Sequence, residues 1–391
     1  MNGDQRPIYL DYQSTTPLDP RVLEVMLPYF TEKFGNPASK SHSYGQEAHQ
    51  AVEHARGQLA RAINAKPQEI VFTSGATEAI NLAIKGLALR HPDKDRHFIT
   101  VQTEHKAVLD CFDWLQKRGF DVTILPVDSE GLLRSKQVQD AIQPNTEMVA
   151  VMAANNEIGV LQPIDEIGSI CRDRGVFFLC DATQALGSIP VDVVASKIDL
   201  LVASAHKIYG PKGVGMLYAK RSNPAVKLEA IVHGGGHERG FRSGTLPTPL
   251  IVGFGEAAEI AVKMMPKEST RLAVLRDDLL ASLQEEIPNA KINGCISKKL
   301  PSNLNIALPG VNAEALIAAT RNDIAIATGS ACTSSEIQPS HVLTALGLSV
   351  EHVTSSVRIS TGRLTCAQQV SHTVEVISRA HTRLAKFSLL Q

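Results

Sequence analysis

The sequence has little of what marks membrane, secreted or metal-clustered proteins. It contains one tryptophan, six scattered cysteines and no apolar run near the roughly 20 residues that a membrane helix needs. No two cysteines form a C-x-x-C pair or have the spacing of a zinc site, and the N-terminus lacks the basic and then apolar pattern of a signal peptide. We therefore expect a reduced, cytoplasmic protein with mostly buried thiols, no metal site and no membrane association.

The charge balance is close to neutral. Lys and Arg number 39 against 40 Asp and Glu, so the formal net charge is −1. Nothing in this balance favours nucleic acid or an anionic membrane as a direct partner. Hydrophobic residues make up 43% and charged residues 20%, which is typical of a globular soluble chain, and the length of 391 residues favours two domains.

Short apolar runs alternate with helical patterns through the first two thirds of the chain. The runs HFITVQ, DVTILPV, TEMVAVMAANN, VFFLCDA and DLLVASA predict strands, and KAVLDCFDWLQKR and IDEIGSICRDRG predict helices. This alternation predicts a largely parallel α/β sheet that is covered on both faces. Helical spacing of Leu272, Leu275, Leu279 and Leu283, and a similar stripe near the C-terminus, predict a second, smaller α/β domain from about residue 260.

The informative residues follow predicted strands, where open α/β sheets bind ligands. IVFTSGATEAINLAIKG predicts a strand, a turn around Gly75 and a helix whose first N–H groups, at Ala76 and Thr77, suit a phosphate. A plain Ser/Thr helix cap is the alternative. His105 follows the next strand, where its imidazole could stack on a cofactor ring or move a proton; a surface or capping histidine is the alternative.

Two further strand ends carry polar groups. Asp181 ends an apolar run, and its carboxylate could pair with a pyridinium N–H while Gln184 reaches a ring hydroxyl; a helix-capping aspartate is the alternative. Ser204 and His206 can donate to a phosphate, and Lys207, among cations and apolar walls, would be nucleophilic toward an aldehyde. Phosphate, ring nitrogen, ring hydroxyl and aldehyde together describe one ligand, pyridoxal 5′-phosphate.

One cysteine lies in an unusual setting. Cys332 is surrounded by small and polar residues in TGSACTSSE, and this composition predicts an exposed, mobile segment. The alternative is a buried structural thiol. The other cysteines lie in apolar or helical settings, except Cys295, which is beside Gly294 near a predicted turn. Cys332 is therefore the strongest candidate for a reactive thiol.

Seven motifs between about Ile8 and Arg363 resemble, in order, those of the cysteine desulfurases of the NifS/IscS type. They are SGATEAINLAIKG, TEHKAVLD, NNEIGVLQPI, DATQALG, HKIYGPKGVG, HGGGHERGFRSGT and GSACTSSE. The resemblance implies the aspartate-aminotransferase-like fold (pyridoxal-phosphate fold type I), an α/β fold with a mostly parallel seven-stranded sheet. Residues 15–260 would form the large cofactor-binding domain, and residues 1–14 and 261–391 a smaller α/β domain that carries the catalytic cysteine loop.

The resemblance also implies an activity and partners. Such enzymes bind pyridoxal phosphate, take sulfur from L-cysteine, release L-alanine and hold the sulfur as a persulfide. They are homodimers that pass the sulfur to an acceptor protein, such as an iron–sulfur scaffold. By resemblance, the phosphate is held by Ala76, Thr77, Ser204 and His206, while Thr245 of one subunit reaches the phosphate in the other subunit's site.

The remaining roles implied by the resemblance lie at the cofactor ring. His105 stacks on the ring and takes part in catalysis, Asp181 faces the ring nitrogen, and Gln184 faces the ring hydroxyl. Lys207 forms a Schiff base with the aldehyde. Loss of Lys207 would mark a catalytically silent scaffold subunit that kept the fold, and it is present.

The substrate side completes the set implied by the resemblance. Asn156 and Arg358 bind the substrate carboxylate, and Cys332 receives the sulfur. An arginine suits a carboxylate because its guanidinium can donate two parallel hydrogen bonds to it. Other enzymes of the same fold are the alternatives. The presence of Cys332 argues against an aminotransferase, which has no need of it, whereas a selenocysteine lyase and a kynureninase-like hydrolase stay open as alternatives. The sequence departs from the family pattern at Gln13 and Ser14, where a small pair is more usual.

Two further departures concern the loop and the tail. Ala327-Thr328 stands where serines are common, and the sequence ends at RLAKFSLLQ, whereas close relatives carry a longer tail that helps to dock the iron–sulfur scaffold. The resemblance therefore implies desulfuration without implying that docking. Iron–sulfur assembly, tRNA thiolation, DNA phosphorothioation and thio-cofactor synthesis all stay open as the destination of the sulfur.

Overall fold

The structure is a computed structural model that describes residues 6–328 and 339–388. Its strands are β1 Ile8–Tyr9, β2 Ile70–Thr73, β3 His97–Val101, β4 Asp121–Leu125, β5 Thr146–Met152, β6 Phe177–Asp181, β7 Leu200–Ser204, β8 Gly215–Ala219, β9 Lys291–Ile292, β10 Asn303–Ala307, β11 Ile324–Ala325 and β12 Ser356–Ser360. Its α-helices are α1 Pro20–Met26, α2 Pro28–Thr31, α3 Ser43–Ala62, α4 Ala76–Ala88, α5 Lys106–Lys117, α6 Ser135–Ala141, α7 Ile164–Arg174, α8 Thr248–Glu286, α9 Ala313–Thr320, α10 His341–Ala345, α11 Val350–Thr354 and α12 Ala367–Ser388.

The largest sheet has seven strands in the order β2-β8-β7-β6-β5-β3-β4. Its strands β3 to β7 run parallel, and β8 runs antiparallel to both of its neighbours. Side chains alternate between the faces: Phe98 and Leu179 pack in one apolar cluster with α4 and α5, whereas Ile99 and Phe178 pack in another with α3, α7 and α8. The predicted mostly parallel sheet with helices on both faces is thus confirmed.

The strand directions explain where the polar residues gather. Because β2 and β7 are both antiparallel to β8, β2 points the same way as the parallel strands. Gly75 after β2, His105 after β3, Asp181 at the end of β6 and Ser204 at the end of β7 therefore lie at one edge of the sheet.

A third apolar cluster lies on a smaller antiparallel sheet. In this sheet β10 pairs with both β9 and β12, and residues such as Leu279 of α8, Ile306 of β10 and Ile377 of α12 pack together. The long helix α8 contributes to this cluster and also to one cluster of the large sheet, where Phe254 packs. The domain boundaries at residues 15 and 260 stay a prediction.

The N-terminal chain connects the smaller antiparallel sheet with the large sheet. After β1 pairs with β11, residues 10–16, named here the crossing segment, pass to the large sheet. The backbone of Leu10 is bonded to Ala325 and Ser360, and the N–H of Thr16 donates to the carbonyl of His206 at 3.0 Å. The crossing segment therefore brings side chains and carbonyls from the smaller sheet to the strand ends described above.

Within residues 6–328 and 339–388, no helix is long and apolar enough to cross a membrane. The cytoplasmic location stays a prediction.

Candidate active site

A cavity of about 480 Å³ lies at the carboxyl ends of the large sheet. Ten residues predicted from the sequence line it: Ala76, Thr77, His105, Asn156, Asp181, Gln184, Ser204, His206, Lys207 and Arg358. They come from six separate parts of the chain: segments at strand ends of the large sheet supply nine of them, and β12 supplies Arg358. The crossing segment also contributes Gln13, Ser14 and Thr15, which sequence reasoning did not place there.

One end of the cavity is suited to an anion. Helix α4 begins at Ala76, and Gly75 before it supplies no side-chain cap, so the first N–H groups of the helix point toward the cavity without an intrahelical partner. The alternative of a Ser/Thr cap is therefore not what the structure has. A Cβ on Gly215 would lie 2.6 Å from the Cα of Gly75, so β8 can approach this turn only with glycine there.

His206 lies beside this end, in the short 3₁₀ turn Ala205–Lys207 after β7. Its Nδ1 is 3.1 Å from the Oγ1 of Thr15. Burial, with the nearby ammonium groups of Lys207 and Lys212, lowers the pKa of His206 to about 4. The imidazole is therefore neutral at pH 7, and it can act as a hydrogen-bond donor without adding charge.

The middle of the cavity carries the flat and acidic groups. His105 caps α5, because its Nδ1 accepts from the N–H of Ala107 at 3.1 Å, so the capping alternative and the cavity position both hold. Burial lowers the pKa of His105, which keeps its ring neutral. Asp181 is 8% exposed, and its Oδ1 accepts from the N–H of Thr183 at 2.9 Å. The Oγ1 of Thr183 is buried and has no hydrogen-bond partner among the described residues.

Lys207 extends from the 3₁₀ turn toward the crossing segment. Its Nζ donates to the carbonyl oxygen of Gln13 at 2.6 Å and to that of Ser14 at 2.7 Å. The amide of Gln184 donates to the same carbonyl of Gln13 at 3.0 Å. Lys207 and Gln184, predicted to serve one ligand, therefore meet at one peptide of the crossing segment.

Arg358 is the cation on the opposite wall, and only 2% of it is exposed. Its Nη2 donates to Asp11 and to the hydroxyl of Ser14, both at 2.7 Å, and its Nη1 donates to the carbonyl of Asn156 at 2.9 Å. Its Nε is buried and has no hydrogen-bond partner within the described residues. The guanidinium is therefore held rigidly by Asp11, Ser14 and Asn156, and it keeps hydrogen-bonding capacity for a further acceptor.

Two buried carboxyl groups behind the cavity were missed from the sequence, although both adjoin predicted site residues. Glu104 accepts from the N–H of Met152 at 2.6 Å, and burial raises its pKa well above the usual range. Burial also raises the pKa of Glu157, which accepts from the hydroxyl of Ser340 at 2.5 Å. The Nε2 of His341 lies 3.0 Å from the carbonyl oxygen of Glu104. Ser340 and His341 are therefore both hydrogen-bonded to residues that lie behind the cavity, Glu157 and Glu104.

Two predicted site residues are not among the lining residues. Thr245 is exposed, and it lies in the glycine-rich loop that precedes α8. Cys332 lies outside the described residues. Of the cysteines that are described, Cys111, Cys171, Cys180 and Cys295 are buried, as expected for most of them. Cys366 is exposed just before α12, against the expectation of an apolar or helical setting.

Comparisons with known proteins agree with this architecture. Residues 8–372 match the family described as aminotransferase class-V. The chain is 49% identical over 390 residues to the cysteine desulfurase IscS of Rickettsia felis (100% of this chain, 95% of that protein). It is 52% identical over 384 residues to the IscS of Neisseria meningitidis serogroup C strain FAM18 (98% of this chain, 94% of that protein).

The chain belongs to the class-V aminotransferase family, among its cysteine desulfurases. Solved structures of the family share the fold. A NifS-like protein has a TM-score of 0.90 at 34% identity and covers 97% of this chain and 100% of its own. The structure described as SspA in complex with cysteine has a TM-score of 0.79 at 39% identity, with 90% of this chain and 98% of its own covered.

A further property of the described residues concerns side chains that could bind a metal ion. Within residues 6–328 and 339–388, no group of three or more His, Cys, Asp or Glu side chains is placed to hold a metal ion.

Proposed function

We propose that the chain is a pyridoxal-phosphate-dependent cysteine desulfurase whose active site is the cavity at the carboxyl ends of the large sheet. The observation that carries the proposal is the gathering of ten predicted site residues around one cavity of about 480 Å³. Membership among the cysteine desulfurases gives the reaction, and the grouping of these residues around one cavity supports their assignment to it.

The donor set of the cavity fits pyridoxal phosphate from end to end. The uncapped start of α4 with Ser204 and His206 provides neutral donors for the phosphate, and Gly75 with Gly215 keeps side chains out of that end. Asp181 offers an acceptor for the ring N–H, and Gln184 offers its amide to the ring hydroxyl. When bound, pyridoxal phosphate supplies an aldehyde that takes up an amino group and a ring that withdraws electrons.

Lys207 and His105 are the groups of this chain that move protons. As a primary amine, Lys207 can accept the α-proton of the substrate, and the carbonyls of Gln13 and Ser14 then hold the ammonium that results. His105 is neutral because of burial, so its ring can receive or return a proton within the same cavity.

Arg358 and Asn156 orient the amino-acid substrate. The guanidinium is fixed by Asp11 and Ser14, which leaves its remaining donors for the carboxylate of L-cysteine. Ser14 bonds to both Arg358 and Lys207, so a carboxylate bound to the guanidinium would lie on the side of the cavity that also carries the lysine. This arrangement supports an amino acid as the substrate class, and the family supports cysteine.

Cys332 is the proposed sulfur acceptor. Its thiolate attacks the sulfur of the bound substrate, so one S–S bond forms while the C–S bond breaks; the carbon keeps the electron pair and takes up a proton, which yields L-alanine and a persulfide. Burial raises the pKa of Cys111 to about 11 and that of Cys171 to about 12, and it also raises the pKa of Cys180 well above its usual range, so these thiols are poor nucleophiles. The persulfide then passes to an acceptor protein, such as an iron–sulfur scaffold.

We also propose a homodimer. Thr245 is exposed outside the cavity, as a residue that serves the partner's phosphate should be. Large apolar side chains from the end of α1 to the first turn of α3 are also exposed: Leu27 by 54%, Phe30 by 55%, Phe34 by 67% and Tyr44 by 52%. An exposed apolar group of this kind supports a protein partner, and a second copy would cover it.

The test of the function uses two cysteine variants. The purified chain with pyridoxal phosphate, L-cysteine and a reductant should release sulfide and L-alanine in equal amounts. Cys332→Ala should lose at least about a hundredfold in that rate, since removal of the thiolate removes the nucleophile to which the substrate's sulfur is transferred. Cys366→Ala, which removes the exposed thiol, is the matched control and should keep the wild-type rate. Full activity of Cys332→Ala would refute the assignment.

A further inference from the structure

The crossing segment departs from the family pattern at Gln13, and the structure shows what this side chain contacts. Gln13 is 4% exposed, and its Oε1 accepts from the Nδ2 of Asn303 at 2.5 Å. Its backbone N–H donates to the hydroxyl of Ser360 at 3.1 Å. Both partners belong to the smaller sheet, so Gln13 is tied to that sheet by its side chain and its backbone.

The Asn303 end of this contact is itself fixed. Asn303 is fully buried, and its Nδ2 also donates to the carbonyl of Glu157 at 3.0 Å. Its Oδ1 accepts from the Nζ of Lys299 at 3.2 Å, and its side chain lies so close to Gly159 that a Cβ there would be 2.6 Å away. Asn303 therefore has a single well-defined orientation from which to hold Gln13.

Packing alone does not account for a glutamine at this position. The Nε2 of Gln13 is buried and has no hydrogen-bond partner among the described residues. A buried amide group that is left unbonded is destabilising, whereas an apolar side chain of the same length would carry no such cost. The hydrogen bond that the Gln13 side chain does make is the one that its Oε1 accepts from Asn303. This bond restrains Gln13 and therefore the peptide between Gln13 and Ser14.

That peptide faces the active-site lysine. The carbonyls of Gln13 and Ser14 accept from the Nζ of Lys207 at 2.6 and 2.7 Å. Two short bonds from a nitrogen to neutral oxygens are stronger when the nitrogen is an ammonium, so this carbonyl pair favours the protonated amine. The bonds require Nζ to be a primary amine, which is the form that the proposed reaction uses as a base.

We propose that Gln13 is a positioning residue for Lys207: its bond to Asn303 aligns the two carbonyls that hold the protonated amine. The inference rests on the proposed function, because it concerns the amine that accepts the substrate's proton. By this inference Asn303, a residue of the smaller sheet, influences the protonation of Lys207 through Gln13.

Other charged groups face the same cavity and are common to every variant below. They come from β6, α5, the 3₁₀ turn, the loop after it and β12, and they are Asp181, His105, His206, Lys212 and Arg358. None of them is bonded to the Gln13 side chain, so a change there leaves their charges in place.

The test measures how fast pyridoxal phosphate binds to the cofactor-free full-length chain between about pH 6 and pH 10, followed by the absorbance of the bound form. Only the neutral amine of Lys207 reacts with the aldehyde, so the pH midpoint of the rate reports its protonation. Gln13→Met keeps the length and removes the amide. We expect it to lower the midpoint by about 0.5–1 pH unit, that is, to raise the neutral fraction roughly three- to tenfold.

Two further variants separate positioning from general loosening. Asn303→Ala should shift the midpoint as Gln13→Met does, and the double variant should shift it no further, because both changes remove one bond. Asn305→Ala is the matched control: it is fully buried in the same strand and donates to Glu157, without a bond to Gln13. It should lower the thermal midpoint of unfolding but keep the wild-type pH midpoint.

The outcomes are distinguishable. A wild-type pH midpoint in Gln13→Met or in Asn303→Ala overturns the inference, as does an equal shift in Asn305→Ala. Additive shifts in the double variant also overturn it. Wild-type protein that binds no pyridoxal phosphate at any pH overturns the proposed function, and the inference fails with it.

Discussion

A buried ion pair anchors the glycine-rich motif HGGGHERGFRSGT, and its removal gives a quantitative test of the structure. The carboxylate of Glu238 accepts from the Nη1 and Nη2 of Arg56 at 2.8 and 2.7 Å and from the N–H of Phe72 at 2.7 Å. The two charged side chains are only 3% and 2% exposed. Burial acts to lower the pKa of Arg56, but its hydrogen bond to Glu238 leaves that pKa raised. The charged pair thus persists in the interior.

The backbone at this point makes the ion pair more important. Glu238 and Arg239 both have positive φ values, 48° and 58°, which side chains other than glycine rarely adopt. Such residues destabilise the fold by about 1–3 kcal/mol each unless their surroundings hold them. The ion pair provides that restraint, and the loop it fixes continues to Thr245.

Glu238→Gln should lower the free energy of unfolding by about 3–5 kcal/mol, because it leaves the buried Arg56 charge with only Glu53, which is 45% exposed, as a counterion. Asp140→Asn is the control: it breaks the Lys136–Asp140 pair, which has the same kind of contact at 2.8 Å but is 79% and 59% exposed. Exposed pairs of this kind contribute about 0.5 kcal/mol or less. Urea unfolding can be followed by the fluorescence of Trp114, the single tryptophan.

The comparison of the two variants decides the matter. A loss in Glu238→Gln below about 1 kcal/mol, or no larger than in the control, would refute the reasoning that a buried charge anchors this loop.

Four further variants test the proposed site, three of them in the cavity and one, at Thr245, outside it. The pKa of His206 is lowered to about 4, so the unfolded chain binds more protons than the folded chain between pH 6.5 and 4, and the cofactor-free protein should lose stability as the pH falls through that range. His206→Gln should remove about 1–3 kcal/mol of this loss, measured by urea titrations at pH 7 and pH 4. A stability difference between the two pH values that is the same in the variant and the wild type would contradict this. Ser14→Ala removes one bond to Arg358 and should raise the KM for cysteine roughly three- to tenfold with little change in kcat; a fall in kcat alone would count against it. Asp181→Ala should reduce turnover by about two orders of magnitude or more and weaken cofactor binding in a spectroscopic titration, whereas wild-type rates would mean that another group faces the ring nitrogen. Thr245→Val should weaken cofactor binding about tenfold in a dimer, and an active monomer in sedimentation would disprove that role.

Much of the site was predictable because local sequence and strand direction determine it. The apolar runs that end at Asp181 and Ser204 form parallel strands, and parallel strands end at the same edge of a sheet. The helix that begins at Ala76 follows a strand and a glycine, which is a local pattern. These features need only the period of the hydrophobic residues and the order of elements along the chain.

The contacts of the crossing segment were not predictable in the same way. Gln13 meets Asn303 across 290 positions of sequence, and Ser14 meets Arg358 across 344. Such pairings depend on how β1 docks beside β11 and on the register of the smaller sheet, which no local pattern encodes. For the same reason the departure from the family pattern at Gln13 and Ser14 did not reveal from sequence that both residues contact Lys207 and that Ser14 contacts Arg358.

The central claim is that the cavity holds pyridoxal phosphate on Lys207, and reductive trapping tests it most directly. The protein with bound cofactor is treated with borohydride, which makes the bond between the lysine and the cofactor permanent, and the digested peptides are mapped by mass spectrometry. The account predicts one phosphopyridoxyl group per chain, on Lys207. Lys212 lines the same cavity and provides an internal comparison. A label on Lys212 or on any other lysine, or no label on a protein that turns over cysteine, would contradict the account.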